Sequence, residues 1–543
     1  MSSVILVGMP GVGKTTVGRE LATLLHLPFY DLDERFTHAH GITPADYLRR
    51  YGEPEFRKKE SALITEVVTL GTAVIATGGG AIVDPLSRWQ LWHAGTVVWL
   101  DAPDHVLRNR FQRDPDARPL TQDAEQIAAR RAERLPFYRA ADIHVDATDQ
   151  AEHLARTIAD RLAAIVKRDA HELSQRGRLL LKTTTTRNHP MGPSLATICF
   201  ASRFPHRIIH TLLSDLSTGV PVVVADERAA AAQPALLDSL PPARQLLFAA
   251  GEEHKRLATV ETMLEFAASK RAERSDAWVG LGGGTAGDMV GCGAALYLRG
   301  VPFIQMPTTW LAMCDAAIGG KVGVDLSAAK NAAGAFWPPV AVLGDVTALN
   351  TLPGDLLLDG MGETLKSAII GDPWLWDLIV HRGTKALIAG PSGDEAARYA
   401  MVERAALVKL GVVDRDPFEA GERRNLNLGH TIAHALEVES GYRLPHGRAV
   451  ILGLRAVAHM ARNRGARADF AAEIDQLCAQ LGYDLTRSFD ANVVKDALAG
   501  DKKSLRGKIR WILPFDVGHV EQADDITEAE IDAALTHISA DHT

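Results

Sequence analysis

The chain has 543 residues, too many for one hydrophobic core, so three or four domains are expected. Apolar residues make up 46% and charged residues 23%, ordinary for a globular chain, and a net charge of −8 argues against a nucleic-acid binder. No apolar run approaches the roughly 18 residues of a membrane span, and the four cysteines (Cys199, Cys292, Cys314, Cys478) have neither disulfide nor metal spacing, which suits a reducing cytoplasm.

The chain opens MSSVILVGMPGVGKTT. The apolar run passes straight into a glycine loop without a basic leader, so SVILVG is expected to be a buried first strand and not a signal peptide. Gly8, Gly13, Lys14 and Thr15 match the phosphate-loop pattern. Glycines (Gly11 and Gly13, flanking Val12) let backbone N–H groups curl around phosphate oxygens. Lys14 reaches the outer phosphates, the Thr15 hydroxyl suits Mg2+, and the helix that starts around Thr16 adds its positive dipole end. In YDLDERF, Asp31 and Asp33 stand i, i+2 at a strand end and are expected on opposite sides of the chain. One would serve Mg2+ and the other a substrate hydroxyl; a solvated strand end is the plainer alternative. Arg57, the triple glycine Gly78, Gly79 and Gly80, then Arg118 and Arg134 add close backbone approach and anion-binding forks.

These pieces, GMPGVGKTT, DLD, EFRKKE, TGGG, RPL and LPFYR, resemble the shikimate kinase family in order and spacing over residues 1–165. The resemblance implies ATP and Mg2+ at Lys14 and Thr15, with Asp31 beside the metal. Asp33 would hold the shikimate hydroxyls and position the nucleophile. Arg57 and Arg134, with the Gly79 and Gly80 backbone, would hold the carboxylate, and Arg118 on a lid of about residues 111–123 would stabilise the transferring phosphate.

AEHLARTIADRLAAIV reads as an amphipathic helix that closes this domain. The stretch after it loses periodicity and gathers polar residues, so 169–190 is expected to be a linker with a first edge strand of the next domain. From 191 to 348 apolar runs again alternate with helical segments, an open α/β pattern. One run ends in Asp226, where a ribose contact is expected. Another ends in GLGGGTAGD, a second diphosphate cradle through Gly284, Thr285, Ala286, Gly287 and Asp288; a tightly packed turn is the alternative. Arg299, Thr308, Thr309, Asp315, Lys321, Lys330 and Asn331 follow, a density of polar groups beside glycines that suggests an anionic substrate next to a nucleotide.

NLGHTIAHALEVESGYRLPH packs His430, His434 and His446 into one stretch. The first two, at i, i+4, share a helix face, so spacing alone pairs them as metal ligands; hydrogen-bonded core histidines are the alternative.

This half resembles 3-dehydroquinate synthase over about residues 200–515, through GGGTAGD, LRGVPFIQMPTTWLA, CDAAIGGKVGVD, AAKN, MGETLK, DPFEAGERRNLNLGHTIAHALE, PHGRAV and DKKSLRGKIR. The resemblance implies an NAD+-dependent lyase that cyclises 3-deoxy-arabino-heptulosonate 7-phosphate to 3-dehydroquinate with release of phosphate. Implied metal ligands for Zn2+, or Co2+ in its place, are Glu363, His430 and His446, which leaves His434 to relay protons. Lys321, Lys366, Lys409, Arg423 and Lys502 or Lys503 would meet the substrate's anionic groups, with Asp315, Asn331 and Asn427 on its hydroxyls. NAD+ would meet Asp226, Glu252, Lys255, Gly284, Asp288, Thr308, Thr309, Lys330 and Thr351. Arg299 would reach a neighbouring subunit, implying a homodimer. Departures from the family pattern include Arg448 after His446-Gly447, where Glu is usual, Ala316 and Ala317 after Asp315, Ala433, and Arg228 beside Asp226.

The expected architecture is therefore α/β throughout. A P-loop kinase domain with a parallel sheet (1–168) precedes the linker (169–190), an NAD-binding α/β domain (191–348) and a mainly helical metal- and substrate-binding domain (349–543). The expected function is a bifunctional shikimate-pathway enzyme acting on small molecules, with no nucleic-acid or membrane partner. The alternatives are a silent nucleotide-binding half, or a cyclase of another sugar phosphate.

Overall fold

A computed structural model describes residues 2–111, 124–168, 177–189, 192–204, 206–216, 219–327, 329–504 and 509–540. The chain divides into two compact units, Met1–Thr184 with Ile198–Pro205, and Thr185–Thr197 with His206–Thr543.

The first unit is built on five strands: β1 (Ser3–Val7), β2 (Phe29–Asp31), β3 (Val74–Ala76), β4 (Gly95–Asp101) and β5 (Ile143–Asp146), in the order β2-β3-β1-β4-β5. Every pairing is parallel. A parallel sheet is covered by helices on both faces, which explains why SVILV and most of GTVVWLD are buried along their length and do not alternate. The chain leaves β1 toward β2 at one edge and later leaves β3 toward β4 on the other side. The carboxyl ends of the adjacent strands β1 and β3 thus mark the crevice, and the phosphate loop and TGGG follow those two strands. The helix Lys14–Leu25 begins where the loop ends, and Ala151–Arg168 is the amphipathic helix expected to close the domain.

A second sheet, ordered β6-β7-β14-β11-β10-β8-β9, is made of β6 (Arg178–His189), β7 (Gly192–Ser202), β8 (Val222–Asp226), β9 (Gln245–Phe248), β10 (Trp278–Gly282), β11 (Phe303–Pro307) and β14 (Ala341–Asp345), of which β8 and those after it in the chain fall in the second unit; β12 (Lys321–Leu326) and β13 (Ala329–Phe336) pair separately as a hairpin. The edge strand expected within 169–190 is β6. From β14 through to β9 the pairings are parallel, and the adjacent strands β8 and β10 direct their connections to opposite sides. Asp226 and the glycine loop therefore sit side by side at a second switch point.

After β14 the chain is mainly helical. Gly354–Gly371, Glu395–Arg415, His430–Glu439 and His446–Arg462 pack against one another, and the last is buried on most of its surface, from Ala449 to Ala461. Trp310, wholly buried, donates its indole N–H to Thr364 Oγ1 at 2.8 Å and joins the sheet layer to the helices. Among the described residues no helix is long and apolar enough to cross a membrane.

Strands β1 and β4 approach so closely at Gly95 that a Cβ there would stand 1.9 Å from Ser3 O. Gly95→Ala should cost about 1–3 kcal/mol by overpacking, read as a fall of about 3–10 °C in the unfolding midpoint of the first unit by calorimetry, with the second unit unaffected.

Candidate functional sites

In the first unit, the phosphate loop is shaped by left-handed glycines, Gly11 at φ 75° and Gly13 at φ 103°. Lys14 is buried and donates to the carbonyls of Gly8 (2.9 Å) and Met9 (3.1 Å), which holds its ammonium over the loop. Thr16 follows in the first turn of the helix. Thr15 Oγ1 donates to Asp31 Oδ2 at 2.6 Å. The expectation that Asp31 and Asp33 project to opposite sides of a strand end fails, since an i, i+2 pair shares a strand face and Asp33 is not in the strand. The strand stops at Asp31, whose Oδ1 caps the helix Leu32–His40 by accepting from the Asp33 and Glu34 N–H groups, and Asp33 lies in the first helical turn. The side chains of both aspartates line one cavity of about 630 Å³, with Lys14, Thr15, Arg57, Gly78, Gly79, Gly80 and Arg134.

Arg57 lies against the Gly80 backbone and pairs with Glu53 (2.8 Å) and buried Glu60 (2.5 Å). Burial pushes the Glu60 carboxyl up, and Arg57 opposes it. Arg134 is 4% exposed, and its Nε and Nη1 are buried without a hydrogen-bond partner among the described residues. Tyr138, pushed up to about 12 chiefly by burial, donates to Gly79 O at 2.9 Å. Arg118 and most of the expected lid lie outside the described residues. Two residues escaped the sequence reading. Glu60 positions Arg57, and Arg110 donates to Val12 O (2.9 Å) and Ala147 O (3.1 Å), bracing the phosphate loop. Neither belongs to a spacing pattern; only the helical i, i+3 step from Arg57 to Glu60 hints at the first.

In the second unit the helix Gly284–Leu296 starts at the glycine loop, with Thr285, Ala286 and Gly287 in its first turn. Asp226 caps the helix Glu227–Ala232 and accepts from Ala250 N–H at 3.3 Å. Asp288 pairs with Lys255 at 2.8 Å, and Lys255 also donates to Asn331 Oδ1 at 2.6 Å. Glu252 holds Lys330 at 2.5 Å and accepts from Thr285 Oγ1 at 3.4 Å. Thr308 is buried, with its N–H on Gly282 O, and Thr309 touches Gly283. Thr351 lies apart from these, accepting from Gln233 Nε2 at 2.8 Å.

The histidine stretch resolves differently from its spacing. Among the described residues, one group of His, Cys, Asp and Glu side chains brings ligand atoms within 4.8 Å of one another: Glu363, His430 and His446. His434 follows one turn after His430, but its ring centroid is 6.3 Å from that of His446, whereas His446 opens a new helix and turns back toward Glu363. Glu363 Oε1 is 3.3 Å from His430 Nε2 and 3.2 Å from His446 Nε2. His430 Nδ1 faces Leu428 O at 3.2 Å and His446 Nδ1 faces Glu437 Oε1 at 3.3 Å. A carbonyl and a carboxylate can only accept, so both Nδ1 atoms donate, and the Nε2 atoms turn toward Glu363, each able to ligate a metal once it yields any proton it shares with that carboxylate. That donor set, two imidazoles and a carboxylate, fits a catalytic divalent metal.

Electrostatics bind this group to its neighbours. Burial opposes ionisation of Glu363, yet Lys366 and His430 hold its carboxyl well below the usual range. Burial likewise opposes the charge on His446, while Glu363 and Glu437 raise it to about 10. His434 is exposed, yet desolvation by the groups packed around its ring, then the neighbouring His430, lower it from its ordinary value. Lys366 is wedged between Glu363 and Asp315, and Lys409 pairs with Asp315 at 2.8 Å. Burial, partly offset by Asp315 and aided by Lys366, pushes Lys409 down. Lys321 pairs with Glu419, which also accepts from Asn427 Nδ2 at 2.7 Å. Arg423 is buried and donates to the carbonyls of Pro417 and Gly319. Arg299 is exposed at a left-handed φ of 65°, away from this cluster. Lys502 and Lys503 lie in the helix Ala491–Ser504, but their side chains are outside the described residues. Arg448 points away from the metal ligands to Asp355. Glu437 and Glu419 escaped the sequence reading. Glu437 was legible in principle, since 430, 434 and 437 share one helix face.

Profiles of three protein families match the chain. Shikimate kinase covers residues 10–166, the 3-dehydroquinate synthase N-terminal region 245–358, and its C-terminal region 360–504. The 3-dehydroquinate synthase of Xanthomonas campestris pv. campestris (strain 8004) is 37% identical over 321 residues, 57% of this chain and 85% of that protein. ValA, a 2-epi-5-epi-valiolone synthase from Streptomyces hygroscopicus subsp. jinggangensis 5008 solved with NAD+ and Zn2+ bound, is 25% identical with a TM-score of 0.58 over 63% of this chain and 96% of that one. A 2-deoxy-scyllo-inosose synthase complexed with carbaglucose-6-phosphate, NAD+ and Co2+ shares the fold at 23% identity, with a TM-score of 0.57 over 65% of this chain and 99% of that one. The chain belongs to the 3-dehydroquinate synthase family and carries a shikimate kinase domain ahead of the synthase. It is a bifunctional enzyme of the shikimate pathway, kinase and synthase in one polypeptide.

Lys366 is 2% exposed between two carboxylates. Lys366→Met should therefore remove the cation between Glu363 and Asp315 and lower stability by about 3–5 kcal/mol, measured by urea denaturation of the full chain.

Proposed function

We propose the following division of roles. In the kinase unit, ATP with Mg2+ occupies the phosphate loop at Gly11, Val12, Gly13, Lys14, Thr15 and Thr16, with Asp31 oriented by Thr15 as the second metal-side group. Shikimate lies across the same cavity. The support is Arg134: a guanidinium with two buried nitrogens lacking acceptors, aimed into a cavity that also holds Arg57, is suited to a carboxylate. That anchor would present a ring hydroxyl to Asp33, while Lys14 and Arg118 stabilise charge on the phosphoryl group in flight.

In the synthase unit, Glu363, His430 and His446 hold Zn2+ or Co2+, and Asp226, Glu252, Lys255, Asp288, Thr308, Thr309 and Lys330 surround NAD+. When bound, the metal supplies Lewis acidity toward substrate hydroxyls and the nicotinamide supplies reversible hydride acceptance. Lys366, Lys409, Lys321 and Arg423 hold the carboxylate and phosphate of the sugar acid, with Lys502 or Lys503 joining them. Asp315, Asn331 and Asn427 orient its hydroxyls. His434, exposed one turn along the helix from His430 and held low in its basicity, moves a proton to or from the substrate. The observation that carries this reading is the convergence of both Nε2 atoms on one buried carboxylate.

Exposed Arg299, flanked by Leu296 and Leu298 at 53% and 45% exposure, supports a homodimer in which it reaches the second copy. The four cysteines, all buried and unpaired, support a cytoplasmic setting.

Glu363→Ala and His446→Ala should each lose bound zinc by metal analysis and lose phosphate release from 3-deoxy-arabino-heptulosonate 7-phosphate, with kinase turnover intact. Retained zinc and activity in both would exclude these ligands. Arg134→Ala should raise the KM for shikimate about 10- to 100-fold, the worth of one or two charge-assisted hydrogen bonds, while the KM for ATP stays within about twofold; equal shifts in both would place Arg134 elsewhere.

A further inference from the structure

The helix Gly354–Gly371 carries Asp355, Asp359 and Glu363 at successive i, i+4 steps, so the three carboxylates form one stripe on one face. Three consecutive residues at the start of the helix His446–Arg462 meet that stripe. Glu363 Oε1 lies 3.2 Å from His446 Nε2, Asp359 Oδ1 accepts the Gly447 N–H at 2.5 Å, and Asp355 Oδ1 pairs with Arg448 Nη2 at 2.5 Å. The backbones touch between these rungs. A Cβ on Gly362 would stand 2.5 Å from Gly447 O, and one on Gly447 only 1.9 Å from Asp359 O. The inner rung holds two of the three metal ligands, and the middle one satisfies an N–H that every helix start leaves unpaired. The Asp355 side chain is 82% exposed and that of Arg448 32%, and Arg448 Nε is buried without a hydrogen-bond partner among the described residues, so the guanidinium is held through Nη2 on Asp355.

We propose that Asp355 and Arg448 form a positioning pair that fixes the crossing of the two ligand-bearing helices, and through it the separation of Glu363 and His446. The inference rests on the metal reading above. His446 is the first residue of its helix and Arg448 the third, so a rotation of that helix start moves the imidazole directly. Ligand geometry of this kind tunes metal affinity. Solvent at the exposed end limits the effect to a modest factor.

The test uses the full chain and the metal ions alone. Zn2+ affinity is measured by chelator competition, and the visible absorption of the Co2+-loaded chain reports ligand geometry. Arg448→Glu and the milder Asp355→Asn should each raise the Zn2+ dissociation constant about 5- to 10-fold and alter the Co2+ spectrum. Arg448→Lys should stay within about twofold of the parent, and the exchanged double variant, Asp355→Arg with Arg448→Glu, should recover most of the loss. The unfolding midpoint of the second unit, read by calorimetry on the full chain, serves as the folding control. His446→Ala separates the two ideas. If it binds Zn2+ as tightly as the parent, the metal reading and this inference fall together. If it loses Zn2+ while Arg448→Glu and Asp355→Asn leave affinity and spectrum unchanged, only the positioning pair is overturned. An Arg448→Glu loss that the exchanged pair does not recover also overturns it.

Discussion

The carboxylate of Glu363 is 1% exposed, and the synthase unit is arranged around what a buried charge requires. An ionised carboxylate in a protein interior needs cations and donors on every side that water would otherwise occupy. Lys366 supplies one from the same helix, three residues on, and His430 and His446 supply the others from two further helices. Lys366 in turn requires Asp315, which draws in Lys409 from the helix Glu395–Arg415. One buried charge thus recruits four helical segments. The same alternation of signs leaves a cleft lined by cations and acceptors already held in place, which is the preorganisation that anionic-substrate chemistry needs.

Two glycine loops in one chain, each opening a helix, show how far a shared constraint shapes unrelated sequences. Both follow a buried parallel strand next to the point where strand order changes direction, and both open a helix with its N–H groups free to face an anion. They differ in what stands behind the loop. In the kinase a lysine of the loop folds over it and an aspartate from β2 orients the neighbouring threonine. In the synthase the loop helix carries an aspartate, paired with a lysine from the adjacent segment. A lysine over the loop suits a nucleotide whose terminal phosphate is transferred. A cradle whose charges are already paired suits one that stays bound.

The strand–loop–helix units were legible because the restriction is local: glycine at a positive φ, a β-branched run before it, a helical period after it. The metal group was not legible from local pattern. The i, i+4 relation of His430 and His434 correctly placed both on one helix, but a shared face says nothing about which tertiary neighbour lies opposite. His446 turns back because Gly447 allows helix-to-helix backbone contact, and Glu363 arrives from a helix far upstream; only a family resemblance named that trio. Asp31 shows the converse error. An i, i+2 pair shares one face of a strand, so the expectation of opposite sides did not follow from the spacing, and the strand in fact ends at the capping residue, where the period changes from 2 to 3.6 between the two. Glu60, Glu419 and Glu437 escaped notice because a glutamate in a charged segment has no distinguishing local context. Each acquires its role by holding another residue, Arg57, Lys321 or His446, in one orientation.

His446 gathers these threads. As the first residue of its helix it sits at the positive end of a dipole, a poor place for an imidazolium. Glu363 on one ring nitrogen and Glu437 on the other reverse that preference and hold a cation there. If Glu363, His430 and His446 hold a divalent ion as proposed, the same two carboxylates that favour charge on His446 would favour the ion, Glu363 beside it and Glu437 on the far ring nitrogen. Metal uptake should release a proton from His446, and the affinity of the site depends on how firmly the two helices keep Glu363 and His446 within reach of each other.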